Sequence, residues 1–101
     1  MFIWVMYDIG DTHVRTKISE DCRDFGLERF QKSVFFGEAT DGLMQRLAET
    51  LKSRMKERDE ERKSDSILVF TMCKSCLEKK IVIGKRFNED DYRKKNCLII
   101  G

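Results

Sequence analysis

Proline is absent from this chain, histidine occurs once, as His13, and neither sign of charge prevails. Long disordered linkers are ordinarily rich in proline, so 101 residues without one are expected to be ordered nearly end to end. The balance of 20 basic against 18 acidic residues leaves a net charge of +2. A field that weak gives the whole molecule no claim on a polyanion, and any argument for nucleic acid has to be local. Long hydrophobic runs are missing too. Met1 to Tyr7 is apolar but far too short to cross a bilayer, and it lacks the basic leader and small-residue cleavage site of a signal peptide, so the cytoplasm is the expected compartment and no membrane partner is expected. The four cysteines, Cys22, Cys73, Cys76 and Cys97, do not have the dense spacing of a secreted disulfide scaffold and are read as thiols.

What is present fits one small domain over residues 1–101, a size that buries only about two-thirds of its unfolded surface. Phe2 to Tyr7 reads as a strand buried on both faces, hence a central one, closed by Asp8, Gly10 and Asp11. Asp11 can cap a helix from Thr12 to Phe25, in which Val14, Ile18, Cys22 and Phe25 share a face and Gly26 marks the stop. Leu27 to Glu38 is strand-like, either one kinked strand or a tight hairpin turning near Lys32 and Ser33. Thr40 can cap a second helix whose Leu43, Leu47, Leu51 and Met55 recur every four residues. Beyond it Lys56 to Lys63 is almost wholly charged, with opposite signs in pairs such as Lys56 with Glu60, and reads as a solvated extension of that helix. Ile67 to Met72, Ile81 to Ile83 and Cys97 to Ile100 are the remaining strand candidates.

That order predicts an α+β fold, a ferredoxin-like βαββαβ sandwich with an extra C-terminal strand, helices covering one face of an antiparallel sheet. Because the central strands look apolar on both sides, the other face is expected to be buried by a second subunit, with the two sheets facing each other in a homodimer. Residues 73–101 are the expected dimerisation and partner-binding extension.

Among residues able to carry chemistry, Asp8 ends the first strand, where a carboxylate can hold a hard divalent cation such as Mg2+ together with waters and substrate phosphates. One such carboxylate per chain is half a site. Lys79, Lys80, Lys85 and Arg86, with Arg93, Lys94 and Lys95, form two basic clusters that can track a phosphate backbone, interrupted by Glu89, Asp90 and Asp91. Cys73 and Cys76 have the spacing of half a zinc site, which Cys97 and His13 would have to complete; structural thiols are the preferred reading.

The triplet Tyr7, Asp8, Ile9, followed by Arg15 and Lys17 and then by Arg29, Gln31, Ser33, Val34, Phe35 and Gly37, resembles the CRISPR-associated protein 2 family, the small adaptation subunit often described as an endonuclease. The resemblance runs from Met1 to about Met72. It implies a homodimer in which Asp8 of each chain faces the other across the dimer axis and the pair shares Mg2+ or Mn2+. Tyr7, Arg15, Arg29 and Phe35 match places implicated in that family's activity, and Ser33 lies where a hydroxyl or carbonyl can line the site. Lys17 stands where a family member carries arginine, keeping the charge without the bidentate fork. The implied activity is metal-dependent cleavage of RNA and/or DNA phosphodiesters in spacer acquisition, with the CRISPR integrase as partner; Ile81 to Ile83 fits the family's strand that packs on the partner subunit. Two alternatives stand beside it. One is a non-catalytic bridge between integrase dimers; the other is a ferredoxin-like RNA-binding module with aromatic residues on an open sheet face.

Overall fold

The computed structural model describes residues 1–59 and 63–93. Its elements run β1 (Phe2–Asp8), α1 (Thr12–Asp24), β2 (Glu28–Gln31), β3 (Val34–Glu38), α2 (Asp41–Met55), β4 (Ser66–Met72) and a short α3 (Lys74–Glu78), with a 3-10 turn over Glu89–Tyr92. The four strands form one antiparallel sheet in the order β2-β3-β1-β4, so β1 is central as expected and the fold is the ferredoxin-like α+β sandwich. No helix among the described residues is long and apolar enough to cross a membrane.

The period of two along β1 sorts its side chains. Ile3, Val5 and Tyr7 turn to the helices and are buried with Val14, Ile18 and Cys22 of α1, Leu47 and Leu51 of α2, and Phe35 of β3. Each such side chain is worth about 1.5–3 kcal/mol against exposure, which is what fastens two short helices to the sheet. Local chemistry sets the helix limits. The Asp11 carboxylate accepts the Val14 amide at 3.1 Å and the Thr40 hydroxyl accepts the Leu43 amide at 3.1 Å. At the end of α1, Gly26 takes a φ of +89°, its amide donating to the Arg23 carbonyl and that of Leu27 to the Cys22 carbonyl. Gly37 lets that turn pack on β3: a Cβ there would meet Leu27 Cδ2 at 2.6 Å. The two helices are tied by Asp21, which accepts from Arg54 Nε at 2.8 Å and Nη2 at 3.1 Å.

Phe2, Trp4, Met6 and Asp8 occupy the other face of β1. Here the chain supplies part of its own cover. Leu77 of α3, Phe87 and Tyr92 pack on Phe2, Trp4, Phe30 and Phe36, with Phe87 5.3 Å from Trp4 and 5.0 Å from Phe36 between ring centroids. A second subunit is therefore not needed over that half. The rest stays open: Met6, Leu68 and Phe70 are 39%, 60% and 38% exposed.

Of the two readings of Leu27 to Glu38 the hairpin holds, with Lys32 and Ser33 in the turn and an irregularity between Arg29 and Gln31. The expected extension of α2 through Lys63 is corrected. The helix stops at Met55, where the Arg58 guanidinium comes back to donate to the Met55 carbonyl at 2.8 Å; Glu60 and its expected pairing with Lys56 lie outside the described residues. Ile81–Ile83, expected as an extra strand, pairs with no strand of the described sheet, and Ile81 and Ile83 are 86% and 90% exposed. Three consecutive apolar residues satisfy a strand pattern, and among the described residues no strand partners their backbone. The other candidate for the extra strand, Cys97 to Ile100, lies outside the described residues.

Candidate functional site

Asp8 is the last residue of β1 and stands opposite Ser66 of β4. Its side chain is exposed on the face shared with Met6, and among the described residues no hydrogen bond or ion pair engages its carboxylate. The turn that follows is held from several sides. The Gly10 amide donates to Asp65 Oδ1 at 3.0 Å, Arg15 Nη1 donates to the Ile9 carbonyl at 2.9 Å, and the Asp59 amide donates to Asp11 Oδ2 at 3.2 Å. Asp65 is fixed in turn by Arg58 Nη1 at 3.1 Å. The backbone amides of Val14 and then of Asp59 hold the Asp11 carboxyl below its ordinary range, so it stays ionised as cap and clasp. Asp8 is thus a free carboxylate on a fixed frame. Among the described residues no three His, Cys, Asp or Glu side chains converge as a metal cage. A single carboxylate does fit the habit of Mg2+, which takes one or two carboxylates and keeps most of its waters, provided a second ligand comes from elsewhere.

Most of the other expected site residues gather on the opposite side of the sheet. Tyr7, Arg15, Thr16, Ser19, Arg23, Arg29 and Lys32 line an open cleft of about 290 Å³ beside α1. Phe35 is fully buried and does not itself line the cleft, but it holds residues that do: the Tyr7 ring stacks on it at 6.4 Å, and the Arg29 and Arg23 guanidinium groups lie 5.3 and 5.9 Å from its centroid. Arg29 Nη2 donates to the Ser19 hydroxyl at 2.7 Å, which aims the guanidinium along the cleft. Burial, reinforced by the nearby Cys22 and opposed by Arg29, raises the Tyr7 phenol above its ordinary pKa, so it stays a neutral hydroxyl at physiological pH. Four cations, three hydroxyls and no acid line this cleft, the chemistry of a phosphate-backbone contact.

Tyr7, Arg15, Arg29 and Phe35 therefore come together, while Asp8 is not among the cleft's lining residues, because neighbouring residues of a strand point to opposite faces. Ser33 contributes its backbone: its carbonyl accepts the Tyr7 amide at 3.1 Å, and its side chain does not line the cleft. Lys17 lies outside the lining as well. Arg23, Lys32, Ser19 and Thr16 were not singled out by the sequence. Arg15, Ser19 and Arg23 lie four residues apart along α1, so a helical-face reading was the signal that finds them. Three cations of the basic clusters near the C-terminus are paired with acids. Lys80 pairs with Glu89 at 2.6 Å, Arg86 with Asp91 at 3.1 Å and Arg93 with Asp90 at 2.8 Å, and Lys85 donates to the Phe30 carbonyl. Lys94, Lys95 and Cys97 lie outside the described residues. His13 is an exposed residue in the first turn of α1 and joins no ligand cluster among the described residues.

The family model described as CRISPR associated protein Cas2 matches residues 1–80. The CRISPR-associated endoribonuclease Cas2 of Korarchaeum cryptofilum is 37% identical over 83 residues, covering 82% of this chain and 84% of that protein. A CRISPR-associated endonuclease Cas1/endonuclease Cas2 fusion of Thermoproteus tenax is 39% identical over 51 residues, 50% of this chain and 19% of the fusion. The crystal structure of Streptococcus pyogenes Cas2 superposes with a TM-score of 0.62 over 83% of this chain and 100% of that one; at 23% identity it speaks for the fold alone.

Proposed function

Since the chain belongs to the CRISPR associated protein Cas2 family, we propose that it works in spacer acquisition as a homodimeric, metal-dependent endonuclease acting on RNA or DNA phosphodiesters. The observation that carries this reading is Asp8: an unpaired, exposed carboxylate at the end of the central strand, next to the open apolar strip of Met6, Leu68 and Phe70. Covering that strip with a second copy related by a two-fold axis brings the two sheets together and the two Asp8 ends with them. The pair of Asp8 carboxylates would then hold Mg2+ or Mn2+, which when bound lowers the pKa of water and neutralises charge on a phosphodiester. The chain's own contribution is positional. The clamps on Ile9, Gly10 and Asp11 keep Asp8 from swinging. Arg15, Arg23, Arg29 and Lys32 anchor phosphates of the strand away from the cleaved one, with the Tyr7 hydroxyl as a neutral donor. The name of the Korarchaeum relative favours RNA as a substrate.

A second reading, the non-catalytic bridge to the integrase, is favoured by the Thermoproteus protein, in which the Cas1 and Cas2 activities are named for one polypeptide. The RNA-binding module draws less support. The aromatic rings on the second sheet face are packed against one another by the C-terminal segment, and Phe70 is the one large aromatic among the exposed hydrophobic residues of the described chain.

The test is a paired assay on parent and Asp8→Ala protein. The proposal expects cleavage in Mg2+ or Mn2+ to fall on the order of 100-fold, the loss of a metal's stabilisation of the transition state. Undiminished cleavage by Asp8→Ala removes Asp8 as metal ligand. Full spacer acquisition by Asp8→Ala together with lost cleavage assigns the biological role to the bridge.

A further inference from the structure

Cys73 and Cys76 stand where β4 gives way to α3, Cys73 as the capping residue and Cys76 in the first turn. Both thiols are exposed, and their Sγ atoms lie 3.2 Å apart. The Leu77 amide closes the turn on the Cys73 carbonyl at 3.2 Å, and the Ser75 hydroxyl lies 3.1 Å from Cys73 Sγ. The two sulfurs are not equivalent. The Ser75 hydroxyl, then the Cys76 amide and thiol, bring the Cys73 thiol down to about 7, while Cys76, hydrogen-bonded to Cys73 and facing its charge, is raised. Among the described residues no third ligand joins them into a metal cage, and nothing in the proposed nuclease chemistry uses them.

From the paired, exposed sulfurs we infer that Cys73 and Cys76 form a thiol–disulfide exchange site, which closes to an intramolecular disulfide at the expense of a low-molecular-weight disulfide such as oxidised glutathione. The Cys73 thiolate attacks one sulfur of the external disulfide; a mixed disulfide forms at Cys73, and the departing thiolate takes a proton from water. Cys76 then gives its proton to water and attacks Cys73 Sγ, forming the internal bond and releasing the second small thiol. In sum, two protein thiols are oxidised and one external disulfide is reduced to two thiols. The bridge joins the end of β4 to α3, whose Leu77 is 1% exposed within the aromatic cluster over Trp4 and Phe36. Cys76 also lines, with Trp4, Leu77 and Phe87, a cavity of about 410 Å³, so closure takes place beside the only tryptophan of the chain.

The test exposes the reduced full chain to glutathione redox buffers, blocks remaining thiols and reads intact mass and peptide maps. The expected product has lost two hydrogens, maps to Cys73 and Cys76, migrates as a monomer on a denaturing non-reducing gel and has a changed Trp4 fluorescence. Cys76→Ser should accumulate one glutathione at Cys73, and Cys73→Ser should react about tenfold more slowly at neutral pH. Alkylation of Cys73 should follow a thiol midpoint near 7 that rises in Ser75→Ala. A bridge to Cys22 or Cys97, a disulfide between two chains, or equal reactivity of Cys73→Ser and Cys76→Ser would overturn the assignment.

Discussion

The backbone amide of Gly10 donates to the Asp65 carboxylate at 3.0 Å, joining residues 55 apart in the chain and fixing the turn that leaves Asp8 at the strand end. Asp65 is 4% exposed at its side chain and also holds Arg58, which is 12% exposed. Asp65→Ala leaves the Gly10 amide unpaired and removes one acceptor from Arg58, which keeps its bond to the Met55 carbonyl, so the loss is expected to be about 1–3 kcal/mol, the cost of a buried donor left unsatisfied. Asp65→Asn keeps an acceptor for Gly10 and should recover part of that loss. Urea unfolding orders the three proteins as parent, Asp65→Asn, Asp65→Ala; an Ala variant within 1 kcal/mol of the parent, about the size of a single ordinary hydrogen bond, would show that the turn holds itself.

The open strip predicts the outcome of charge insertion. Leu68→Glu and Phe70→Glu place carboxylates where the proposed partner sheet must lie, and each should turn the dimer into a monomer in sedimentation while leaving the far-ultraviolet circular dichroism unchanged, because both side chains are exposed. Metal binding should disappear with the dimer although Asp8 is untouched. A variant that remains dimeric with both substitutions places the interface elsewhere.

For nucleic acid, the ion pairs divide cations that look alike in the sequence. Arg86 already faces Asp91, whereas Arg23 and Lys32 line a cleft without an acid. Arg23→Glu or Lys32→Glu should weaken binding by a similar factor for all sequences and lower the salt slope by about 1 for each phosphate that is no longer neutralised. Arg86→Glu should change the slope far less. Titrations from 50 to 200 mM salt read the slopes.

The fold class was legible because β1 and β4 are unbroken apolar runs and the two long helices repeat their apolar residues at helical spacing. The segment Leu27 to Glu38 did not. The irregularity between Arg29 and Gln31 breaks the alternation, so one kinked strand and a hairpin share the same pattern. The end of α2 was hidden for another reason: charged residues continue at helical spacing past Met55, whereas the return of Arg58 to Met55 and Asp65 at the helix end has no signature in the sequence. Within the site, Asp8 and the Tyr7 to Phe35 group were legible as residue types. Their separation onto two faces follows from strand alternation, but Asp65 and Asp21 could not be found, since a buried carboxylate is defined by partners tens of residues away.

Alkali should begin to destabilise the protein through one thiol. Cys22, on the inner face of α1, is fully buried in the core with Tyr7, and burial, with the charge of Asp21 behind it, pushes its thiol up to about 12 from an ordinary 9.0. Tyr7 is raised from 10.0, again by burial first. Both groups hold their protons more tightly folded than unfolded, so stability is intact below the unfolded-state values and falls as pH rises through them. Cys22 begins to tell near pH 9 and, by about pH 12, costs up to about 4 kcal/mol, a large share of the stability of so small a domain. Tyr7 adds its loss only above pH 10. Cys22→Ala should be somewhat less stable at pH 7 because the space of the sulfur is left unfilled, yet its stability should fall less steeply than the parent's between pH 8 and 9.5. Parallel curves for the two proteins across that interval would mean that the alkaline transition begins at another group.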